Sequence, residues 1–253
     1  TAPIYPLTSL VLLSAEQPVV LQGGQRMPVK YGITTQELFF ALGMNLNGLT
    51  ISQVQSGFLK NNFAFIHQPE HFPLAENLIY YRDQIGKRPP IASMELLWTA
   101  HRNKHLLVSG FVHNPTEERH WKTLQLIGEE NIITIKGLEG STDLPVSRKC
   151  QASHIKNKHI NAITIDPKDY NFYAKDVVYK NLEVWKMQAI EAINNKGPLI
   201  ESLLLNAGFY LWSSDITSTL QGGVKKAENL IKSGSVKDTI DKIINWRQSI
   251  KST

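Results

Sequence analysis

Apolar positions fall along this chain in two rhythms, one of three to four residues and one of short continuous runs. Over 5–15 they recur at helical spacing, with Leu7, Leu10 and Val11 on one stripe and Pro6 suited to a first turn, which predicts a buried helix. The run at 18–21 (Pro18, Val19, Val20, Leu21) reads as a strand. Residues 34–42 predict a helix with Thr34 as cap and Glu37 three positions on, a capping-box spacing, ending at Gly43. A further helix is expected over 52–59 with Ser52 as its cap, then a short apolar strand over 63–66. Residues 73–85 read as one long helix opening on Pro73 and stopping at Gly86. The basic turn Lys87-Arg88-Pro89-Pro90 and a helix over 92–99 come next. Strands are expected at 106–112 and 132–136 with a helix over 116–127 between them, and at 162–165 before the turn signal Asp166-Pro167. The last third carries four helical patterns, at 181–194, 199–212, 217–232 and 236–251. Strands alternating with helices predict an α/β fold with a central mixed or mostly parallel sheet flanked by helices. No repeat, low-complexity tract or linker breaks the pattern, so one domain over 1–253 is expected.

Composition narrows the function classes. The chain has 253 residues, 42% hydrophobic and 19% charged, an ordinary globular balance with material for a sizeable core. A net charge of +5 suits anionic ligands such as phosphates, nucleotides or nucleic acid without demanding them. The single cysteine, Cys150, excludes a disulfide framework and a paired-cysteine metal site, and fits a reducing compartment. No run is long enough for a membrane span and no signal peptide is visible. The first residue is Thr1 rather than Met, as expected of a processed chain or a fragment.

Four stretches hold candidate chemistry. In PVVLQGGQRMPVKYG (18–32), a strand runs into Gly23 and Gly24, with Arg26 and Lys30 close behind. Glycines let a ligand approach the backbone and the cations can neutralise phosphate or carboxylate, although a Gly-Gly after a strand is also a plain turn. In IKGLEGSTDLPVSR (135–148), Glu139 and Asp143 follow a strand through a glycine loop; there they could hold magnesium against a diphosphate, or be solvated turn acids. In IHQPEHFPLAENLIYYRDQIGKR (66–88), Pro69 between His67 and His71 rules out a helical zinc pair; His71 could equally pack or cap, and Arg82, Lys87 and Arg88 form a basic cluster. Near the C-terminus, Lys225, Lys226, Lys232, Lys237, Lys242, Arg247 and Lys251 are interleaved with acids, the pattern of a solvated helix face.

Taken in order, these stretches resemble the nucleotide-binding domain of the anthranilate phosphoribosyltransferase family, over nearly the whole chain. The 18–32 stretch is similar to that family's strand, Lys-His-Gly-Asn-Arg loop and Ser-Ser-Lys-Ser-Gly segment. TTQELFFALGMNL resembles its Leu-Glu-Ala-Leu-Gly helix, and FIHQPEHFPLAENLIYYRDQIGKRP its His-Pro segment followed by arginines. KGLEGSTDL resembles the Gly-x-Asp-Gly-Leu-Asp-Glu magnesium loop, and LLLNAGFYLW with LQGGVKKAENLIKSG the C-terminal helices. The nearest likeness is to a divergent subgroup of cyanobacteria and plastids. The resemblance implies a sheet flanked by helices after a small helical domain that makes a homodimer. It also implies transfer of phosphoribosyl from phosphoribosyl diphosphate to an aromatic acceptor, with Mg2+, in the cytoplasm or plastid stroma.

Its site residues map to Gly23, Gly24, Arg26, Lys30, His71, Arg82 and Arg88 for substrate and phosphate, and to Asp143 and Glu139 for metal. Gly32, Gly140 and Asn206 are kept as well. The departures lie on the diphosphate and metal side. The helical domain and the glycine-rich diphosphate loop would precede Thr1, so the chain by itself is expected not to catalyse. Pro3-Ile4-Tyr5-Pro6 stand where Asn-Ser-Thr grips diphosphate, Gln22 stands at the loop histidine, Gly24 at its asparagine, and Thr142-Asp143 at the Asp-Glu pair. The alternative to a pentosyltransferase is a non-catalytic relative that binds nucleic acid or serves a protein partner.

Overall fold

The computed structural model describes residues 1–27, 31–85, 94 and 96–250. Its first element, α1 (Tyr5–Ser14), is apolar nearly all round and buried on most sides, so it lies within the core rather than on it. β1 (Val19–Gly23) follows, then α2 (Thr35–Ala41). The Thr34 hydroxyl accepts the Glu37 amide and Glu37 accepts the Thr34 amide, which closes the expected capping box. α3 (Ile51–Asn61) is capped by Thr50, not Ser52. Thr50 has the extended backbone an N-cap needs, with Gln53 completing its own capping box. β2 (Phe63–His67) lies parallel to β1 in the register Val19 to Phe63 and Gly23 to His67.

After a single turn, α4 (Gln68–His71), the segment expected to be one helix over 73–85 is instead two short helices, α5 (Pro73–Glu76) and α6 (Leu78–Ile85). Neither α5 nor α6 buries a residue, so no packed face holds them in one rod. Of the helix expected over 92–99, residues 92, 93 and 95 lie outside the described residues, as does the 87–90 turn, and 96–99 are turn, bend and irregular backbone rather than helix.

A second sheet holds β3 (Leu107–Gly110), β4 (Asn131–Ile135), β5 (Cys150–Lys156) and β6 (His159–Ile165) in that order. β3 and β4 are parallel and joined by α7 (Asn114–Leu126), while β4–β5 and β5–β6 are antiparallel. Ile132, Ile133 and Ile135 are fully buried, as expected where both faces of a strand are covered. The strands therefore form a mixed α/β arrangement flanked by helices, split into a two-stranded and a four-stranded hydrogen-bonded set. One apolar cluster contains residues of both sets.

β5 has no counterpart in the sequence reading and β6 begins earlier than expected. The hairpin between them turns on Asn157 and Lys158, both at positive φ. That is the two-residue geometry a hairpin favours, without the glycine that usually announces it. The C-terminal helices are α8 (Leu182–Ile193), α9 (Ile200–Ser213), α10 (Leu220–Lys232) and α11 (Ser235–Ser249). α9 is buried along almost its whole length and packs on α10 through paired glycines. A Cβ on Gly223 would stand 2.2 Å from the Gly208 carbonyl oxygen, so the two backbones are in contact. Among the described residues no helix is long and apolar enough to cross a membrane.

Candidate functional site

Parallel strands end in backbone amides and loops that face the same way, and ligands of open α/β sheets sit outside those carboxyl ends. At the ends of β1 and β2 the chain places Gln22, Gly23, Gly24, His67 and Gln68 side by side. A Cβ on Gly24 would meet the Met27 methyl at 2.6 Å and Gln68 at 3.9 Å, so the Met27 side chain and Gln68 close around the strand end. The Met27 sulfur accepts a hydrogen bond from Arg82 at 3.2 Å. Gln22 donates to the Trp98 carbonyl at 2.9 Å, and the Trp98 ring meets Phe72 edge-on with centroids 5.0 Å apart. The strand ends thus bring glycines, an aromatic pair and a guanidinium together.

Of the expected anion-binding residues, Gly23, Gly24 and Arg82 come together here. Arg26 does not join them. It forms a bidentate pair with Glu37, with nitrogen–oxygen distances of 2.6 to 3.2 Å, and so extends the α2 capping box. Partial burial pushes Glu37 up, but the hydrogen bonds from Arg26 and Thr34 outweigh it and leave the carboxyl below its ordinary value. His71 serves the fold: its Nδ1 accepts the His67 amide at 2.9 Å, which leaves Nε2–H to donate to the Leu49 carbonyl at 2.7 Å. Lys30 and Arg88 lie outside the described residues.

His67 escaped the sequence reading as a site residue. It ends β2, is 4% exposed, and stacks on Phe65. Its Nδ1 lies 3.2 Å from Glu70 Oε2 without hydrogen-bond alignment, and Nε2 meets no hydrogen-bond partner among the described residues. The one available signal was a strand-terminal histidine with a carboxylate three residues on, a weak pattern.

The two carboxylates expected at a metal centre make separate contacts. Leu138–Gly140 forms a single 3-10 turn, with Glu139 at φ 54° and Gly140 at φ 80°. Glu139 is exposed and meets the amine and hydroxyl of Thr1. Asp143 is 3% exposed and turned to the first turn of α1. Its Oδ2 accepts the Ile4 amide at 2.9 Å, the Tyr5 amide also bonds to the carboxylate, and Oδ1 has no partner among the described residues. α1 has no side-chain cap of its own, so Asp143 supplies one from 139 residues away. Burial raises its pKa to about 6, against the pull of those amides.

The neighbouring backbone is bolted on the other side. Buried Asn206 accepts the Leu144 amide at 2.8 Å and donates to the Leu144 carbonyl at 3.1 Å, while Tyr210 donates to the Thr142 carbonyl at 2.6 Å. Tyr5 links this joint to the crevice, because its hydroxyl lies 2.8 Å from that of Thr35, against which Gly23 packs.

Comparison with known proteins identifies the fold. The family described as "Glycosyl transferase family, a/b domain" matches residues 4–237. The chain belongs to this family. It is 22% identical over 252 residues to an anthranilate phosphoribosyltransferase of Burkholderia mallei (strain SAVP1), covering 98% of this chain and 72% of that protein. The structure is similar to anthranilate phosphoribosyltransferase from Thermus thermophilus, with a TM-score of 0.81 at 16% identity over 98% of this chain and 74% of that one. It is also similar to the Saccharomyces cerevisiae protein in complex with PRPP and Mg, with a TM-score of 0.76 at 14% identity over 97% and 70%. The glycosyl transferase α/β domain therefore accounts for the fold and for the order of the motifs.

It does not account for magnesium at Asp143. That ion keeps near-ideal octahedral coordination and several waters. Asp143 offers one oxygen already held by α1 amides and one buried without a partner among the described residues. Among the described residues no three acidic, histidine or cysteine side chains converge on a metal position. As placed, Asp143 does not present both of its oxygens to the ion.

Proposed function

We propose that this glycosyl transferase family member is an anthranilate phosphoribosyltransferase-like protein that keeps the acceptor side of the fold. In this reading the crevice at the ends of β1 and β2 takes a small aromatic carboxylate. The diphosphate and metal side has become a structural joint, so that these residues alone do not carry pentosyl transfer. The observation that carries the reading is Asp143. Its carboxylate occupies the amides at the start of α1, where a diphosphate oxygen would otherwise be received. On the other side, the Phe72–Trp98 wall supplies a face for an aromatic ring and Arg82 a cation for its carboxylate. Positioning and charge are what such a site contributes to transfer.

Isothermal calorimetry tests this. Titration with 2-aminobenzoate should give saturable binding without added metal, weakened about tenfold by Arg82→Ala. Phosphoribosyl diphosphate with magnesium should give none. Tight binding of the diphosphate that depends on magnesium and is lost in Asp143→Asn would overturn the reading in favour of a working metal centre.

A further inference from the structure

The four-stranded sheet has one closed edge and one open edge. At the β3 edge Leu107, Ser109 and Gly110 are buried. At the other edge β6 pairs with β5 alone, and His159, Ile160, Asn161, Ala162 and Thr164 are exposed, Ile160 at 52%.

The hairpin geometry decides which backbone groups of β6 point outward. The two-residue turn at Asn157 and Lys158 is flanked by Lys156 and His159, the pair that exchanges both backbone hydrogen bonds in such a turn. Alternation from there turns His159, Asn161, Ile163 and Ile165 toward β5, and Ile160, Ala162 and Thr164 away from it. Among the described residues no other element gives those three a backbone hydrogen bond. Soluble proteins blunt an edge of this kind with a charged side chain, a proline or a bulge. β6 reads HINAITI, without Lys, Arg, Asp, Glu, Pro or Gly, and its register with β5 is unbroken from end to end.

We propose that β6 is the pairing edge for a second copy of this chain, joined antiparallel about a two-fold axis at Ala162. That axis sets Ala162 opposite Ala162 of the second copy, and Ile160 opposite its Thr164. It is the register in which all three outward residues exchange hydrogen bonds. The β-branched Ile160 and Thr164 suit a cross-strand pair, and no like charges are brought together. Charge complements the pairing at both ends. Lys158 and Asp166 lie equally far from Ala162 on either side, so Lys158 of each copy meets the Asp166 end of the other. Lys158 has no ion-pair partner among the described residues. Main-chain bonding along one strand covers a small area, so the dimer is weak and forms with rising concentration.

Sedimentation equilibrium of the full chain from about 1 μM to about 1 mM tests this. The mass should climb toward that of a dimer. Ala162→Pro should stay monomeric throughout with its Tm unchanged, because an edge strand tolerates proline where the lost N–H faces outward. Lys158→Glu, at an exposed turn, should raise the dissociation constant about tenfold. Under mild oxidation Ala162→Cys should cross-link to its own copy, since the facing Cα atoms of such a pair stand about 5.5 Å apart. Thr164→Cys should not, because its copies lie at opposite ends of the pairing. A chain still monomeric at about 1 mM would leave this edge to a strand of another protein and overturn the assignment. A dimer indifferent to both Ala162→Pro and Lys158→Glu, or equal cross-linking of the two cysteine variants, would overturn it as well.

Discussion

Asp143→Asn probes the joint between the 137–146 loop and α1, and its effect depends on pH in a defined direction. The carboxyl is buried, and burial raises its pKa from the ordinary 3.8 to about 6 despite two backbone amides that favour the charged form. The folded chain therefore holds the proton more tightly than the unfolded one. Stability contributed by this group is full below about pH 4 and is lost as pH rises through about 6. At about 1.4 kcal/mol per pH unit the difference is on the order of 3 kcal/mol. Asparagine retains an oxygen for the Ile4 and Tyr5 amides but does not ionise. Its NH2 takes the position of the partnerless Oδ1, a pH-independent penalty of roughly 1–3 kcal/mol. Urea unfolding at pH 4, 5, 6 and 7 measures both terms. The variant should be the less stable protein at pH 4, and the gap should close or reverse by pH 7. Parallel pH profiles for the two proteins would refute the argument, since they would mean that no buried carboxylate ionises at the start of α1.

Three further outcomes follow from packing and capping. Thr34→Ala removes the hydroxyl that closes the α2 capping box and should cost about 1 kcal/mol in thermal unfolding; an unchanged Tm would mean the Arg26–Glu37 pair holds that turn without it. Gly223→Ala drives a methyl to within 2.2 Å of the Gly208 carbonyl and should destabilise by about 1–3 kcal/mol or more. Gly32→Ala, with nothing within 4 Å, should have little effect; similar losses from both would argue against close α9–α10 contact. Cys150 is buried and its pKa is pushed up to about 12, so a thiol reagent at pH 8 should react only as denaturant opens the chain. Stoichiometric labelling of the native protein would refute that burial.

The sequence by itself determined what depends on neighbours along the chain. The α1 stripe, the Thr34–Glu37 capping box, the buried β2 and β4 runs and the four C-terminal helices are set by local periodicity and capping, and the motif order across them carried the family. The loop glycine Gly140 was legible too, and it adopts a positive φ of 80° that a side chain rarely takes. What only the tertiary structure decided is which polar groups are already spent. Arg26 and Lys30 read alike as free cations in sequence, yet Arg26 is committed to Glu37 eleven residues away. His71 read as a ligand candidate and is consumed by the Leu49 carbonyl and the His67 amide. Asp143 read as a metal ligand and caps a helix 139 residues earlier. The β5–β6 hairpin was hidden because Asn157-Lys158 adopts its turn without glycine, held by strand pairing rather than by its own preference. Periodicity records which face is buried. Hydrogen-bond partners, buried charge and the joint between distant segments are set by which faces meet, and no window of sequence contains that.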